Sequence, residues 1–336
     1  MYGRVANNRH PLVSIIVLNW NGMDYLEKCL QSLMRLTYPN YVVIVVDNGS
    51  SDGSPDMVKR SFPNVKLITN ERNLGFAKGI NMGIKVSRGH LIVLFNNDVV
   101  ADPSWLSELV KTVMHSPKIG MASGIILQSK PSDILWSAGK KIDAFTGNRW
   151  RIGYGEKLNQ LEKVEDIDYF TACALLIRRE VVEKIGLLDE GYFFYGEDAD
   201  WTLCARRAGY KCKLAPSAIV WHEGSATSKK TSINRYYWYN LSNFRLYFKH
   251  FPIKYLFTTL FFQLIFLSFF EVFFFKRPIV YILLKLRAFG RNMVNLPKTM
   301  AERKKIECFG ELNLKRRLRE CLNVAKARTS LRYYDF

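Results

Sequence analysis

Three short hydrophobic runs in this chain each give way to a cluster of carboxylates and amides. Residues 42–46 end at Asp47, which opens the loop Asn48-Gly49-Ser50-Ser51-Asp52-Gly53-Ser54. Residues 91–95 end at Asn96-Asn97-Asp98, and the aromatic run 192–195 leads into Glu197-Asp198-Ala199-Asp200. Short apolar, β-branched runs read as buried strands. In an open parallel sheet, ligands sit beyond the carboxyl ends of the strands. Acidic groups gathered at such an edge suit a nucleotide, a divalent cation and a base.

The order of elements supports such a sheet. Residues 13–18 form a first strand, ended by Asn19-Trp20-Asn21-Gly22, and Asp24 is positioned to cap a helix through 36. Strands follow at 41–46, 65–69 and 90–95, with helices after Ser54 and from Asn73-Leu74-Gly75 onward. Asp102-Pro103 starts the next helix, with proline at its first position. This alternation predicts an α/β fold, mainly parallel, with helices on both faces. Residues 119–127 read as a strand, and the polar, Gly- and Trp-bearing segment 128–166 as acceptor-side loops. Residues 169–177 read as a strand running into a helix at Arg178-Arg179-Glu180. A helix at 199–208 closes at Gly209. A last strand, 213–220, ends at Trp221-His222-Glu223-Gly224.

Charge divides the chain. From Lys229 onward there are 22 Lys/Arg against 6 Asp/Glu, so +16 of the net +19 lies there. The nearly neutral part, 11–228, reads as an enzyme domain. The basic remainder, 229–336, reads as a helical region that meets phosphate, on nucleic acid or on a membrane. The six cysteines show no CxxC pair; Cys29, Cys173 and Cys204 read as buried free thiols of a reducing compartment. The polar first 11 residues lack the apolar core of a signal peptide, so secretion is not expected.

Each cluster has a chemistry. Asp47 can accept hydrogen bonds from a base or a ribose hydroxyl, and the small residues of its loop let the backbone approach a ligand. Asp98 can give a carboxylate to a hard cation, with Asn96 as a weaker oxygen donor. Three acids within four residues, Glu197, Asp198 and Asp200, exceed what a helix cap needs. Asp198 is the chosen general base, Asp200 the alternative, and Glu197 could orient either. His222, at another strand end, could complete a cation shell. Gly75, Gly79 and Gly83 lie close to one helix face and read as a close-packing surface. They do not form the dinucleotide fingerprint, which disfavours an oxidoreductase.

At these residues the chain resembles the family 2 glycosyltransferases, in particular bacterial rhamnosyltransferase-like members. The pieces that carry the resemblance are residues 13–22, 47–54, 73–83, 96–99, 171–179 and 195–201, in the family's order. It implies a GT-A fold, a nucleoside-diphosphate sugar donor, Mg²⁺ or Mn²⁺, and inversion at the anomeric carbon. Asn19, Asn21, Asp47, Ser50, Asn73, Gly75, Asn96 and Asn97 then make up the donor-binding set. Asp98 stands for the last acid of the family's D-x-D motif, with Asn96 in place of the first. Asp198 matches the catalytic base, and His222 a histidine that binds metal in some relatives. The expected sugar is rhamnose, the alternatives another hexose, galactofuranose or N-acetylhexosamine.

Residues 255–275 are long enough to cross a bilayer, yet basic residues flank them on both sides, against the bias of Lys/Arg toward the cytoplasm. An in-plane or re-entrant helix pair, broken at Pro278, fits better, held to anionic lipid at the cytoplasmic face of the membrane. A lipid-linked glycan acceptor would explain it. The other reading is a buried helical hairpin or a dimer interface, which keeps a homodimer open. Nucleic-acid binding by the basic tail is the rival of another class. The acidic strand ends would repel phosphate without a cation, so no nucleic-acid partner is expected.

Overall fold

The computed structural model describes residues 10–164, 167–223, 232–274 and 277–317. The chain opens as β1 (Val13–Asn19), α1 (Met23–Leu33), β2 (Tyr41–Asp47), α2 (Ser54–Ser61), β3 (Lys66–Thr69), α3 (Phe76–Val86) and β4 (Leu91–Asn96). Side chains alternate across these strands. Val13, Ile15, Val17, Val43, Val45, Val93 and Phe95 join a core with α1 and α2. Ile16, Ile44, Val46, Ile92 and Leu94 join a second core with α3 on the opposite face. Residues burying both faces explain the unbroken apolar runs.

The next elements are β5 (Val99–Ala101), α4 (Trp105–Met114), β6 (Ile119–Gln128), β7 (Leu135–Ser137), β8 (Lys140–Ile142) and β9 (Arg149–Arg151). Then come β10 (Ala174–Arg178), α5 (Arg179–Ile185), α6 (Glu197–Arg207) and β11 (Lys211–His222). The main sheet runs β3-β2-β1-β4-β10-β6-β11-β5, with β7 beside β6. Its first four strands are parallel, while β10 is antiparallel to both β4 and β6. The sheet is therefore mixed beyond β4. Asn19 pairs with Asp47 and Leu18 with Asn96, so three strand ends finish side by side.

Local chemistry moved several boundaries. α1 begins at Met23, and Asp24 lies in its first turn. The cap comes instead from Asp52, whose Oδ2 accepts from the Met23 amide at 2.9 Å. α4 begins two residues after Pro103, because Asp102 Oδ1 folds back to accept from the Ser104 amide and hydroxyl. The strand expected from 169 begins only at Ala174, and Tyr169 bridges to Lys140. β11 is longer than expected, with an irregularity between Ala215 and Ile219. The three-residue β5 has no periodicity to betray it; it is held by antiparallel pairing with β11, Val99 against His222. Cys29, Cys173 and Cys204 are buried free thiols. Gly79 and Gly83 give α3 its close approach: a Cβ there would meet Leu18 at 2.5 Å and Ile16 at 2.4 Å.

The C-terminal helices are α7 (Ser232–His250), α8 (Ile253–Phe261), α9 (Leu267–Phe274), α10 (Pro278–Val294) and α11 (Leu296–Glu307), with a π-helical turn, Phe262–Phe266, between α8 and α9. Pro278 takes the first turn of α10. Phe244, Leu246, Tyr247 and Phe248 of α7 share one core with Ile142, Ala144, Tyr169, Ala199 and Leu203. The helix run 253–273 has the length and hydropathy of a membrane span but is only 24% buried. Its inner edge is polar. Thr259 Oγ1 donates to the Ala144 carbonyl, Gln263 Nε2 to the Thr146 carbonyl, and Glu271 pairs with Lys285 at 2.6 Å. Its outer edge is apolar, with Phe257 79% and Phe273 70% exposed. The basic tail beyond 317 lies outside the described residues.

Candidate active site

The strand-end network is built from amides around one carboxylate. Asn19 Nδ2 donates to Asp47 Oδ2 at 3.0 Å, and Asn97 Nδ2 donates to Asn19 Oδ1 at 2.7 Å. Ser50 gives Asp47 its backbone N–H at 2.8 Å and its hydroxyl at 2.7 Å. Asn21 Oδ1 accepts from the Ser51 amide at 2.8 Å. Asp47 is 1% exposed, so these bonds hold a buried charge in place. Asn21 sits at φ +48°, a conformation asparagine tolerates better than most residues. Asn73 Oδ1 accepts from the Gly75 amide and from Asn48, fixing the loop before α3. Gly75, at φ +84°, has no room for a side chain: a Cβ would stand 2.7 Å from the Phe193 carbonyl oxygen. The Phe76 amide donates to that same oxygen. The segment leading to α6 is thus docked on the segment after β3. The Asn96 backbone lies between Cys29 and Cys173: its N–H donates to the Cys173 carbonyl and its own carbonyl accepts from the Cys29 thiol.

Asp98 and His222 come together because β5 pairs with β11. Asp98 Oδ1 is 3.2 Å from His222 Nε2, and the Glu223 amide donates to the Asp98 carbonyl. Both side chains are largely buried. The Trp136 ring meets His222 edge-on at 4.6 Å, and His222 Nδ1 is buried with no acceptor among the described residues. Neighbouring ligands about 2.1 Å from an octahedral cation stand about 3 Å apart, so the pair has the spacing of two cation ligands. One carboxylate oxygen and one imidazole nitrogen suit Mn²⁺ better than Mg²⁺.

The three acids of α6 have separate fates. Tyr195, a non-glycine residue at φ +68°, and Gly196 turn the chain so that the helix begins at Glu197; such strain is tolerated where surrounding contacts over-determine it. Glu197 is buried, and burial, then the charge of Asp198, push its carboxyl up to about 8. Asp198 faces Lys140, with Oδ2 4.0 Å from Nζ. Asp200 is buried against α7, 2.8 Å from Lys249 Nζ and 2.8 Å from His250 Nε2. Burial opposes its charge, but Lys249 and His250 outweigh it and hold its pKa far below the carboxylate range. Asp200, Cys204 and His250 have the composition of a metal site, yet the Lys249 ammonium already supplies the cation there.

Asp98 and Asp198 share a neighbour. Burial first, then Asp98, push the Cys173 thiol well up, with Asp198 adding and Lys140 opposing. The thiol thus feels the charge of both carboxylates, and Asp98 is joined to the Asn19–Asp47 network through the adjacent Asn97. Sequence reasoning missed Lys140, Arg149, Arg151, Lys249 and His250. The first three lie in segment 128–166, whose polar composition reads as loops; the alternation Arg149-Trp150-Arg151 is the signal of a strand there.

Residues 14–186 match the family model described as Glycosyl transferase family 2. Among curated relatives, glycosyltransferase AglE of Haloferax volcanii is 26% identical over 217 residues, 63% of this chain and 67% of that protein. The N-acetylglucosaminyl-diphospho-decaprenol L-rhamnosyltransferase of Mycobacterium tuberculosis is 26% identical over 236 residues, 63% of this chain and 76% of that protein. Among solved structures, the mannosyltransferase PcManGT of Pyrobaculum calidifontis, in complex with GDP-Man and Mn2+, aligns at TM-score 0.55 and 17% identity. That alignment covers 98% of this chain and 82% of the other. GalNAc-T7, with UDP, GalNAc and Mn2+, aligns at TM-score 0.60 and 16% identity, over 97% of this chain and 59% of the other. At such identities the likeness speaks for the fold, which is GT-A with added C-terminal helices. With more than half of its length inside the family match, and with the strand ends carrying the residues on which the resemblance was drawn, the chain belongs to glycosyl transferase family 2.

Proposed function

We propose that the protein is an inverting, metal-dependent hexosyltransferase. It moves a sugar, rhamnose in the first instance, from a nucleoside-diphosphate donor to a hydroxyl of a lipid-linked glycan. The observation that carries this reading is the Asp98–His222 pair standing at a sheet edge that also carries the Asn19–Asp47 network. Asp47, held by Asn19 and Ser50, shapes the loop that receives the nucleoside. Asp98 and His222 would hold the cation, whose chemistry is to offset charge growing on the leaving diphosphate. Asp198 accepts the acceptor's proton as the hydroxyl oxygen bonds to the anomeric carbon and the bond to the diphosphate breaks. Glu197 is the more deeply buried of the two, and burial and the charge of Asp198 raise its carboxyl, so Asp198 is the acid assigned to take that proton. Asp200 is tied to Lys249 and His250 and does not face the site. Rhamnose and the lipid link draw support from the mycobacterial relative's name. The exposed aromatic edge of α8 and α9 supports a protein that beds in the cytoplasmic face of a membrane.

The test is Asp198→Asn with a panel of nucleotide sugars and membrane extract as acceptor. Transfer should fall by roughly 10²–10⁴-fold, the usual worth of a general base, while thermal stabilisation by the nucleoside diphosphate and Mn²⁺ persists. Undiminished transfer by this variant overturns the assignment of the base.

A further inference from the structure

Only one oxygen of the Asp198 carboxylate is occupied. Oδ1 accepts from the Ala199 amide at 2.7 Å. Oδ2 accepts no hydrogen bond from the described residues, and Lys140 Nζ stands 4.0 Å from it. That distance lies beyond hydrogen-bond reach, so the ammonium offsets the charge of Oδ2 without filling its lone pairs. The Lys140 and Asp198 side chains are 20% and 13% exposed, shielded enough that salt screens the pair less than it would at the surface.

The backbone that carries Lys140 is held still. Its N–H donates to the Tyr169 carbonyl, and its carbonyl accepts from the Asp168 amide. Further along the β8–β9 hairpin, the Ile142 amide donates to Asp168, the Tyr247 hydroxyl of α7 to the Gly147 carbonyl, and Gln263 to the Thr146 carbonyl. Ile142 packs in one core with Ala199 of α6, so the hairpin and the helix that bears Asp198 keep a fixed spacing. None of these ties uses the Lys140 ammonium, which lies 5.2 Å over the Tyr169 ring. Burial lowers the hold of Lys140 on its proton, with Arg149 and Arg151 of β9 adding to it, while Asp198 and Tyr239 of α7 oppose them. Asp198 is the carboxylate among these groups.

We infer that Lys140 is a positioning residue for sugar transfer: its ammonium balances the charge of the Asp198 carboxylate and keeps Oδ2 as the oxygen that meets the acceptor hydroxyl. This rests on the reading of Asp198 as the base. The acceptor oxygen bonds to the anomeric carbon, the bond to the diphosphate breaks, and the hydroxyl proton passes to Oδ2. Lys140 keeps its own proton throughout and touches neither sugar. A base set this way is aligned before the acceptor arrives, which is where such a residue contributes to rate.

Transfer kinetics of the full chain test this, with the nucleotide sugar the wild type uses and membrane extract as acceptor. Lys140→Met should lose roughly 10²-fold in maximal rate, the usual cost of misplacing a reacting group by about 1 Å. The KM for the donor should stay within about twofold. Lys140→Arg, which keeps the charge, should recover most of that loss. Arginine stays charged at pH values where a buried lysine gives up its proton, so the rate of Lys140→Arg relative to the wild type should rise as pH climbs into the alkaline range. Added to Asp198→Asn, Lys140→Met should cost no further rate. Full transfer by Lys140→Met overturns the inference, as does a loss that Lys140→Arg fails to recover, or a further loss in the Asp198→Asn background. Where Lys140→Met does not fold, Lys140→Arg decides: a ratio to the wild type that stays flat with pH overturns it. Undiminished transfer by Asp198→Asn alone removes the base itself, a separate failure from an active Lys140→Met beside an inactive Asp198→Asn.

Discussion

At the ends of β1, β2 and β4, Asn19 and Ser50 give the carboxylate of Asp47 neutral donors, and Asn97 in turn donates to Asn19. Behind α6, buried charges answer buried charges. Asp200 meets Lys249 and His250, and Asp189 meets Lys249 at 2.8 Å and Arg245 at 2.7 Å. An amide removed from the first network leaves Asp47 two donors from Ser50. A cation removed from the second leaves each carboxylate one partner and the cluster one positive charge short. The two regions border one site, yet one tolerates loss by sharing bonds and the other depends on exact charge balance.

Three variants probe that contrast. Lys249→Met leaves Asp200 to His250 and Asp189 to Arg245, one positive charge short, and should destabilise the fold by about 3–5 kcal/mol, the range for breaking a buried pair; denaturant unfolding measures it. A loss below about 1 kcal/mol would mean that water reaches the cluster. Asn19→Ala should cost roughly 1–3 kcal/mol, since Asp47 keeps the Ser50 hydroxyl and amide. A cost equal to that of Lys249→Met would erase the distinction. Glu197→Gln should have the smallest effect at acid pH, and a pH signature. The Glu197 carboxyl is raised from 4.5 to about 8. The unfolded chain therefore releases this proton first, and stability falls as pH climbs from about 4.5 toward 8. The variant should lack that decline, matching the wild type near pH 4.5 and exceeding it at pH 8. Parallel melting curves across that range would show that Glu197 is not held neutral.

The same contrast separates what the sequence discloses from what it conceals. Asp47, Asn96 and Asp98 follow β-branched runs whose pattern reports burial on both faces, so their place at a sheet edge was legible. Asp198 was legible as a helix-start acid, though nothing local distinguishes it from Asp200 two residues on. That distinction is made by Lys249 and His250, some fifty residues downstream. The pairing of Asp98 with His222 needed β5, three residues too short for any periodicity. Segment 128–166 hid three cations because β8 and β9 are three residues each and gain their order from Tyr169, Asn243 and Gln263.

The polar seam under α8 and α9 has a mechanical consequence. Glu271 and Lys285 face each other inward, with the Tyr236 hydroxyl donating to Glu271 at 2.7 Å. To tip these helices upright into oil would break the bonds from Tyr236 to Glu271, Thr259 to Ala144 and Gln263 to Thr146, so they stay clamped to the catalytic body. If their aromatic edge beds in lipid as proposed, the stand-off between Asp198 and the bilayer is set like a fixed gauge. Only a glycan whose free hydroxyl lies one such distance from its anchor would be in reach, and glycan length would be measured before any sugar is recognised.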